Sequence, residues 1–156
     1  MSTKKNHAFE AYEAERNHPR FHRVVLIDDK EMNLFIQEAI ILSAAFTEEI
    51  YWETQPFRFL EKLGRVDKLQ DVPEILFLNI DMKEFDTLEF LEKFDQLSDF
   101  VRNKCKIVMV SGSVKKIEEF NKLRHPGIIR FLLKPMDVVH VREFIQISED
   151  LNIMSK

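Results

Sequence analysis

The sequence predicts an α/β fold: a doubly wound, five-stranded parallel sheet of order 2-1-3-4-5 with five flanking helices. Three observations lead there. The apolar runs Val24-Val25-Leu26-Ile27, Ile75-Leu76-Phe77-Leu78 and Ile107-Val108-Met109-Val110 lack the alternation of a half-exposed strand, so both faces of each are covered. Segments with helical spacing of apolar residues separate the runs, giving the strand–helix alternation of a parallel sheet. Glycine and proline number only 3 and 5, too few for an all-β fold built on tight turns.

Residues 1–20 differ from the rest. Phe9 and Tyr12 sit among Glu10, Glu13, Glu15 and Arg16, and Asn17-His18-Pro19 closes the stretch, which reads as a helical or a disordered arm. The domain proper spans 21–150, with 151–156 as a tail. The first strand ends abruptly in Asp28-Asp29. Met32, Leu34, Phe35, Ile36, Ala39, Ile40 and Leu42 then give a helix with a broad apolar face. Thr47 to Trp52 is a weaker strand, and Pro56 to Leu63 a short helix opening near a proline. A loop through Asp71 and Pro73 leads to the strand at Ile75. Leu88 to Leu97 is helical, with Leu88, Leu91 and Phe94 on one stripe. The strand at Ile107 ends in Ser111-Gly112-Ser113. Val114 to Leu123 is a helix, Ile128 to Leu133 a strand and Val138 to Ile147 the last helix.

The chain of 156 residues suits one domain with a real core. Hydrophobic residues make up 45% and charged residues 32%, the balance of a soluble globular protein, and a net charge of −4 gives no sign of a nucleic-acid or membrane surface. The single cysteine, Cys105, excludes an intramolecular disulfide and a cysteine-held zinc; it reads as a small core residue. The N-terminal stretch carries charges throughout, unlike a secretory signal, and no apolar run approaches the roughly 20 residues of a membrane helix. A cytoplasmic location is the default expectation.

In such sheets ligands bind at the carboxyl ends of the strands, near the point where strand order reverses. Asp28 and Asp29 follow the first strand, Asn79 and Asp81 the third, Ser111 and Ser113 the fourth, and Lys134-Pro135 the fifth. Carboxylates, a hydroxyl and a lysine on one edge suit a hard cation and a phosphoryl group. Polar residues end most strands, so each of these alone is ordinary, and the weight lies in the set. Elsewhere the bland reading holds. The five histidines (His7, His18, His22, His125 and His140) show no metal-ligand spacing. Phe57, Phe59, Phe90, Phe94, Phe120 and Phe144 read as core, and Lys115-Lys116 as a solvated helix start.

From Phe21 to Ile147 the sequence resembles the response-regulator receiver family of two-component signalling, which has a flavodoxin-like fold. The elements are Val25-Leu26-Ile27-Asp28-Asp29, Ile75-Leu76-Phe77-Leu78-Asn79-Ile80-Asp81-Met82, Val108-Met109-Val110-Ser111-Gly112-Ser113 and Phe131-Leu132-Leu133-Lys134-Pro135, in that order. The resemblance implies that Asp28 and Asp29 hold Mg2+, helped by the backbone carbonyl of Asp81. It implies that Ser111 and Lys134 contact a phosphoryl group, that the proline after Lys134 follows a cis bond, and that Phe131 is the switch aromatic. It also makes the surface of the last two helices and the strand between them, with Val138, Val139 and Phe144, the partner face or simply core.

The departure is Asn79, which stands where the family has its phosphoacceptor aspartate. Phe85-Asp86-Thr87 and Glu89-Phe90-Leu91 fix this register, because moving Asp81 to the acceptor position breaks their match by two residues. Lys83 and Thr87 also replace the family's usual proline and glycine. An amide oxygen is a poor nucleophile and forms no stable acyl phosphate, so the usual chemistry at Asn79 is expected to be absent. Mg2+ binding is expected to weaken, and Lys134, without its usual partner, to turn to Asp28 or Asp29.

The expected function is a stand-alone pseudo-receiver in phosphorelay signalling. It acts as a protein-interaction module and not an enzyme, with no output domain attached. Its partners would be a sensor histidine kinase, a phosphotransfer protein or a downstream effector. The alternatives are a receiver phosphorylated elsewhere, Asp81 first, or a metal-dependent phosphotransferase or hydrolase, whose nucleophilic aspartate is missing from Asn79-Ile80-Asp81.

Overall fold

In the computed structural model, which describes residues 21–150, five parallel strands form one sheet of order β2-β1-β3-β4-β5. The strands are β1 (Phe21–Ile27), β2 (Thr47–Glu53), β3 (Ile75–Asn79), β4 (Lys106–Ser111) and β5 (Ile128–Leu133). The helices are α1 (Glu31–Ser43), α2 (Pro56–Gly64), α3 (Thr87–Asp95), α4 (Asp99–Lys104), α5 (Val114–Lys122) and α6 (Val138–Asp150), with a 3-10 turn at Leu69–Asp71. The predicted arm at 1–20 and tail at 151–156 lie outside the described residues.

Period-two alternation divides the central strands between two cores. Val25, Ile27, Leu76, Leu78, Ile107 and Met109 face one side, where Leu60 and Leu63 of α2, Phe90, Leu91 and Phe94 of α3, and Val101 of α4 cover them. Val24, Leu26, Ile75, Phe77, Val108 and Val110 face the other, under Leu34 and Ile41 of α1 and Val141 and Phe144 of α6. Each burial of a large apolar side chain contributes roughly 1.5–3 kcal/mol, which is why the β-branched central runs specify the sheet so firmly. β2 is an edge strand with Tyr51 and Trp52 exposed, and this accounts for its weaker apolar pattern. The aromatics read as core are so placed: Phe59, Phe90, Phe94 and Phe144 are buried, with Phe57 and Phe120 packed partly against them.

Three expectations need correction. The helix expected over Leu88 to Leu97 is α3, which stops at Asp95, and beyond it lies a sixth helix that was not expected, α4, with Arg102 Nε donating to the Leu97 carbonyl at 2.8 Å. Leu88 is exposed, because Asp86 caps the helix through the Glu89 N–H and turns Thr87, Phe90, Leu91 and Phe94 inward instead. The broad apolar face of α1 is also narrower than expected. Leu34, Gln37 and Ile41 meet the sheet, while Met32, Phe35, Ile36 and Leu42 are exposed because α6 covers the remaining width of that face.

Candidate functional site at the carboxyl edge of the sheet

The register β1–β3–β4–β5 brings the strand ends into line. Ile27 pairs with Leu78, Asn79 with Val110, and Ser111 with Leu133. Asp28, Asn79, Asp81, Ser111 and Lys134 are therefore gathered at one edge, as the sequence reading expected. Lys134 is followed by a cis peptide bond to Pro135. Val138 is partly buried, Val139 exposed and Phe144 buried, so only Val139 belongs to the surface of α5, β5 and α6. Phe131 sits on β5, half-buried against the core under α2 and α3.

Asn79, 4% exposed, is the centre of the site. Its Nδ2 donates to Asp28 Oδ2 at 3.0 Å. Its Oδ1 accepts from the Asp81 N–H at 2.9 Å and from Lys134 Nζ at 2.8 Å. Both ends of the amide are thus used, and only this orientation sets its donor against an acceptor and its acceptor against donors.

Asp28 is fully buried. Besides Asn79 it accepts from the Lys30 N–H at 3.0 Å and from Asn33 Nδ2 at 3.3 and 3.2 Å on its two oxygens. Every donor it meets is an uncharged N–H. Asp29 is exposed beside it.

Asp81 lies past the end of β3, on the turn that follows. Its Oδ1 accepts from Ser111 Oγ at 2.7 Å and approaches Lys116 Nζ at 3.4 Å. Its Oδ2 accepts from the Gly112 N–H at 2.7 Å and from Lys134 Nζ at 3.2 Å. Burial raises the pKa of the Asp81 carboxyl, but the hydrogen bonds from Gly112, Ser111 and Lys134 and the charge of Lys134 outweigh it and hold the pKa at about 2, against an ordinary 3.8. Ser111 itself is fully buried and also accepts from the Ser113 N–H at 3.0 Å.

Two expectations about this site are overturned. Lys134 does not turn to Asp28 or Asp29; it spans Asn79 and Asp81, since the amide donor of Asn79 already takes Asp28. Lys116 is not merely a solvated residue. Ser113 caps α5 by accepting from the Lys116 N–H at 3.2 Å, which sets the lysine in the first turn over Asp81. Asn33 is a further site residue not singled out in the sequence; its signal is a position in the first turn of the helix that follows Asp28-Asp29.

The fit of this arrangement to Mg2+ follows from its acceptors. The cation needs oxygen ligands in near-octahedral array. Here the oxygens of Asp28, Asn79 and Asp81 each already receive N–H or O–H donors. Among the described residues no group of three or more His, Cys, Asp or Glu is disposed to hold a metal. As arranged, the Asp28 and Asp81 carboxylates are committed to protein donors, which Mg2+ would have to displace to use them.

No protein-family model and no curated protein matches the chain. Solved structures do. A response regulator receiver protein from Dyadobacter fermentans is 24% identical with a TM-score of 0.68, over 80% of this chain and 95% of that one. A two-component response regulator from Cytophaga hutchinsonii is 22% identical with a TM-score of 0.71, over 85% and 98%. The receiver domain of a sensor histidine kinase from Pseudomonas aeruginosa, solved with a magnesium ion coordinated in its active-site cleft, is 13% identical with a TM-score of 0.62, over 81% and 95%. The fold of this chain is that of the response-regulator receiver domain.

Proposed function

We propose that this chain is a receiver-type interaction module of two-component signalling that operates without aspartyl phosphorylation at Asn79. One observation carries the reading: the Asn79 amide is bonded at both ends, to Asp28 on one side and to Lys134 and the Asp81 N–H on the other. An aspartyl phosphate forms when a carboxylate oxygen attacks phosphorus and the donor's leaving group departs. The amide supplies no such oxygen, and its carbonyl is already engaged by a lysine and an N–H.

The same geometry disfavours Asp81 as a substitute acceptor, because both its oxygens are engaged by Ser111, Gly112, Lys134 and Lys116. No step through Mg2+ is needed. Turnover of a phosphate ester is not part of this function; the output is binding to a histidine kinase, a phosphotransfer protein or an effector, in the cytoplasm. The exposed Met32, Phe35 and Ile36 on α1 and Val139 on α6 offer apolar contact for such a partner.

The test is incubation with Mg2+ and a small acyl-phosphate donor, beside an Asn79→Asp variant, followed by intact mass spectrometry. Only the variant is expected to gain a phosphoryl group. Labelling of the natural protein would overturn the reading, and peptide mapping would then locate the true acceptor.

A further inference from the structure

Four donors, two from β4 and α5 and two from the loops after β4 and β5, converge on one side chain at the sheet edge. Ser111 ends β4, the Gly112 N–H opens the turn after it, Lys134 follows β5, and Lys116 stands in the first turn of α5. Their distances to the Asp81 oxygens are 2.7, 2.7, 3.2 and 3.4 Å respectively. Two neutral donors and two ammonium groups around a small volume make an oxyanion site by general chemistry: charge-assisted hydrogen bonds, short N–H and O–H contacts and a net positive field. The Gly112 N–H meets the anion directly, and a Cβ at this position would stand in ordinary contact 3.6 Å from Asp81 Oδ2.

The anion that fills this site is part of the chain. Asp81 is pinned from behind by its own N–H, which donates to Asn79 Oδ1 at 2.9 Å, so its carboxylate is presented to the donors from a fixed backbone. A tethered group competes with free ligands at an effective concentration in the millimolar range or above.

We infer that Asp81 is an intramolecular ligand whose carboxylate fills a four-donor oxyanion site formed by Ser111, Gly112, Lys134 and Lys116 and outcompetes free oxyanions such as inorganic phosphate for it in the natural chain. The inference rests on the reading that Asn79 carries no phosphoryl group. It adds that the site is held in its anion-filled arrangement by the protein's own carboxylate. β4, β5 and α5 are then tied to the turn after β3 without any phosphate donor, and the tie is released only when Asp81 is displaced.

Thermal melting of the natural chain, Asp81→Ala and Asp81→Asn, with and without millimolar inorganic phosphate and against chloride of matched ionic strength, tests this. Asp81→Ala leaves two lysines facing an empty cradle and is expected to melt about 5 °C lower. Phosphate is expected to restore much of the loss in a saturable way, since a ligand that binds only the folded state raises the melting temperature. Phosphate should move the natural chain no further than chloride does. Asp81→Asn keeps the shape, loses the charge and should fall between the two. If Asp81→Ala does not fold, the saturable response to phosphate is read on Asp81→Asn alone.

A natural chain that responds to phosphate as strongly as the variants would overturn the inference. So would variants that show no phosphate response beyond chloride. The readout is anion occupancy and not phosphoryl transfer. Labelling of the natural chain at Asn79 or elsewhere therefore fails the functional reading separately from these melting curves.

Discussion

Asp28 and Asp81 are the two carboxyl groups on either side of the Asn79 amide, and they are held by opposite kinds of partner. Asp28 is fully buried and meets only uncharged donors: the Lys30 N–H and the side-chain amides of Asn33 and Asn79. Asp81 is about a quarter exposed and meets two ammonium groups besides a hydroxyl and a backbone N–H. The amide between them is polarised accordingly, its donor end toward Asp28 and its acceptor end toward Lys134. The difference shows why asparagine suits this position. A single side chain must give a hydrogen bond on one side and accept two on the other, which a carboxylate cannot do.

The sharpest way to break that arrangement is Asn79→Asp. It replaces the donor 3.0 Å from Asp28 by a second carboxyl oxygen, so two like charges meet in a buried place or share a proton. Without divalent cations at neutral pH we expect a loss of about 3 kcal/mol in urea unfolding. Mg2+ should recover part of it by screening the pair, while leaving the natural chain unchanged. Equal stabilisation of both chains by Mg2+ would mean that the hydrogen-bonded network does not displace the cation.

A pair of smaller changes sharpens the contrast between the two sides. Lys134→Met strips a charged donor from Asn79 Oδ1 and Asp81 Oδ2, and a loss of about 1–3 kcal/mol is expected. Asn33→Ala strips an uncharged donor from Asp28, with an expected loss of about 1 kcal/mol. Added salt should shrink the first effect modestly and leave the second alone, because screening acts on the half-buried ion pair and not on the uncharged donor. Similar salt dependence for both variants would erase the distinction.

The smallest expected effect is on acid stability. The folded pKa of Asp81, about 2, lies below its ordinary 3.8, so its contribution is present above about pH 4 and lost as the pH falls toward 2. Following unfolding across that window, the natural chain should lose stability more steeply than Asp81→Asn. Parallel curves would place the acid sensitivity elsewhere.

The sheet was legible because its central strands are buried on both faces, so that Val24–Ile27, Ile75–Leu78 and Ile107–Val110 carry no competing periodicity. α4 escaped notice for the converse reason: it has six residues and buries only Val101, too little for a helical period to register. In the site, Asn79, Ser111 and Lys134 were legible because each sits at a strand end, where topology dictates the neighbours. Lys116 and Asn33 lie one helical turn away, and their reach depends on cap geometry that apolar patterning does not encode. Asp81 shows the limit most clearly. The sequence offers it as a carbonyl ligand of a cation or as an alternative acceptor, but past the strand end period two no longer sets side-chain direction, so the contacts of its carboxylate with Ser111, Gly112, Lys134 and Lys116 are not legible there.

Cys105 joins α4 to β4 and is fully buried; burial pushes its thiol far up from the ordinary range, and the pull of Lys106 and Lys104 in the other direction is weaker. The sequence holds no other thiol. An alkylating reagent in solution therefore meets sulfur only when this junction opens, and the rate of modification clocks that opening. For the same reason a cysteine introduced on the surface would stand chemically alone, a single address for a spectroscopic probe on a domain whose own thiol stays shut away.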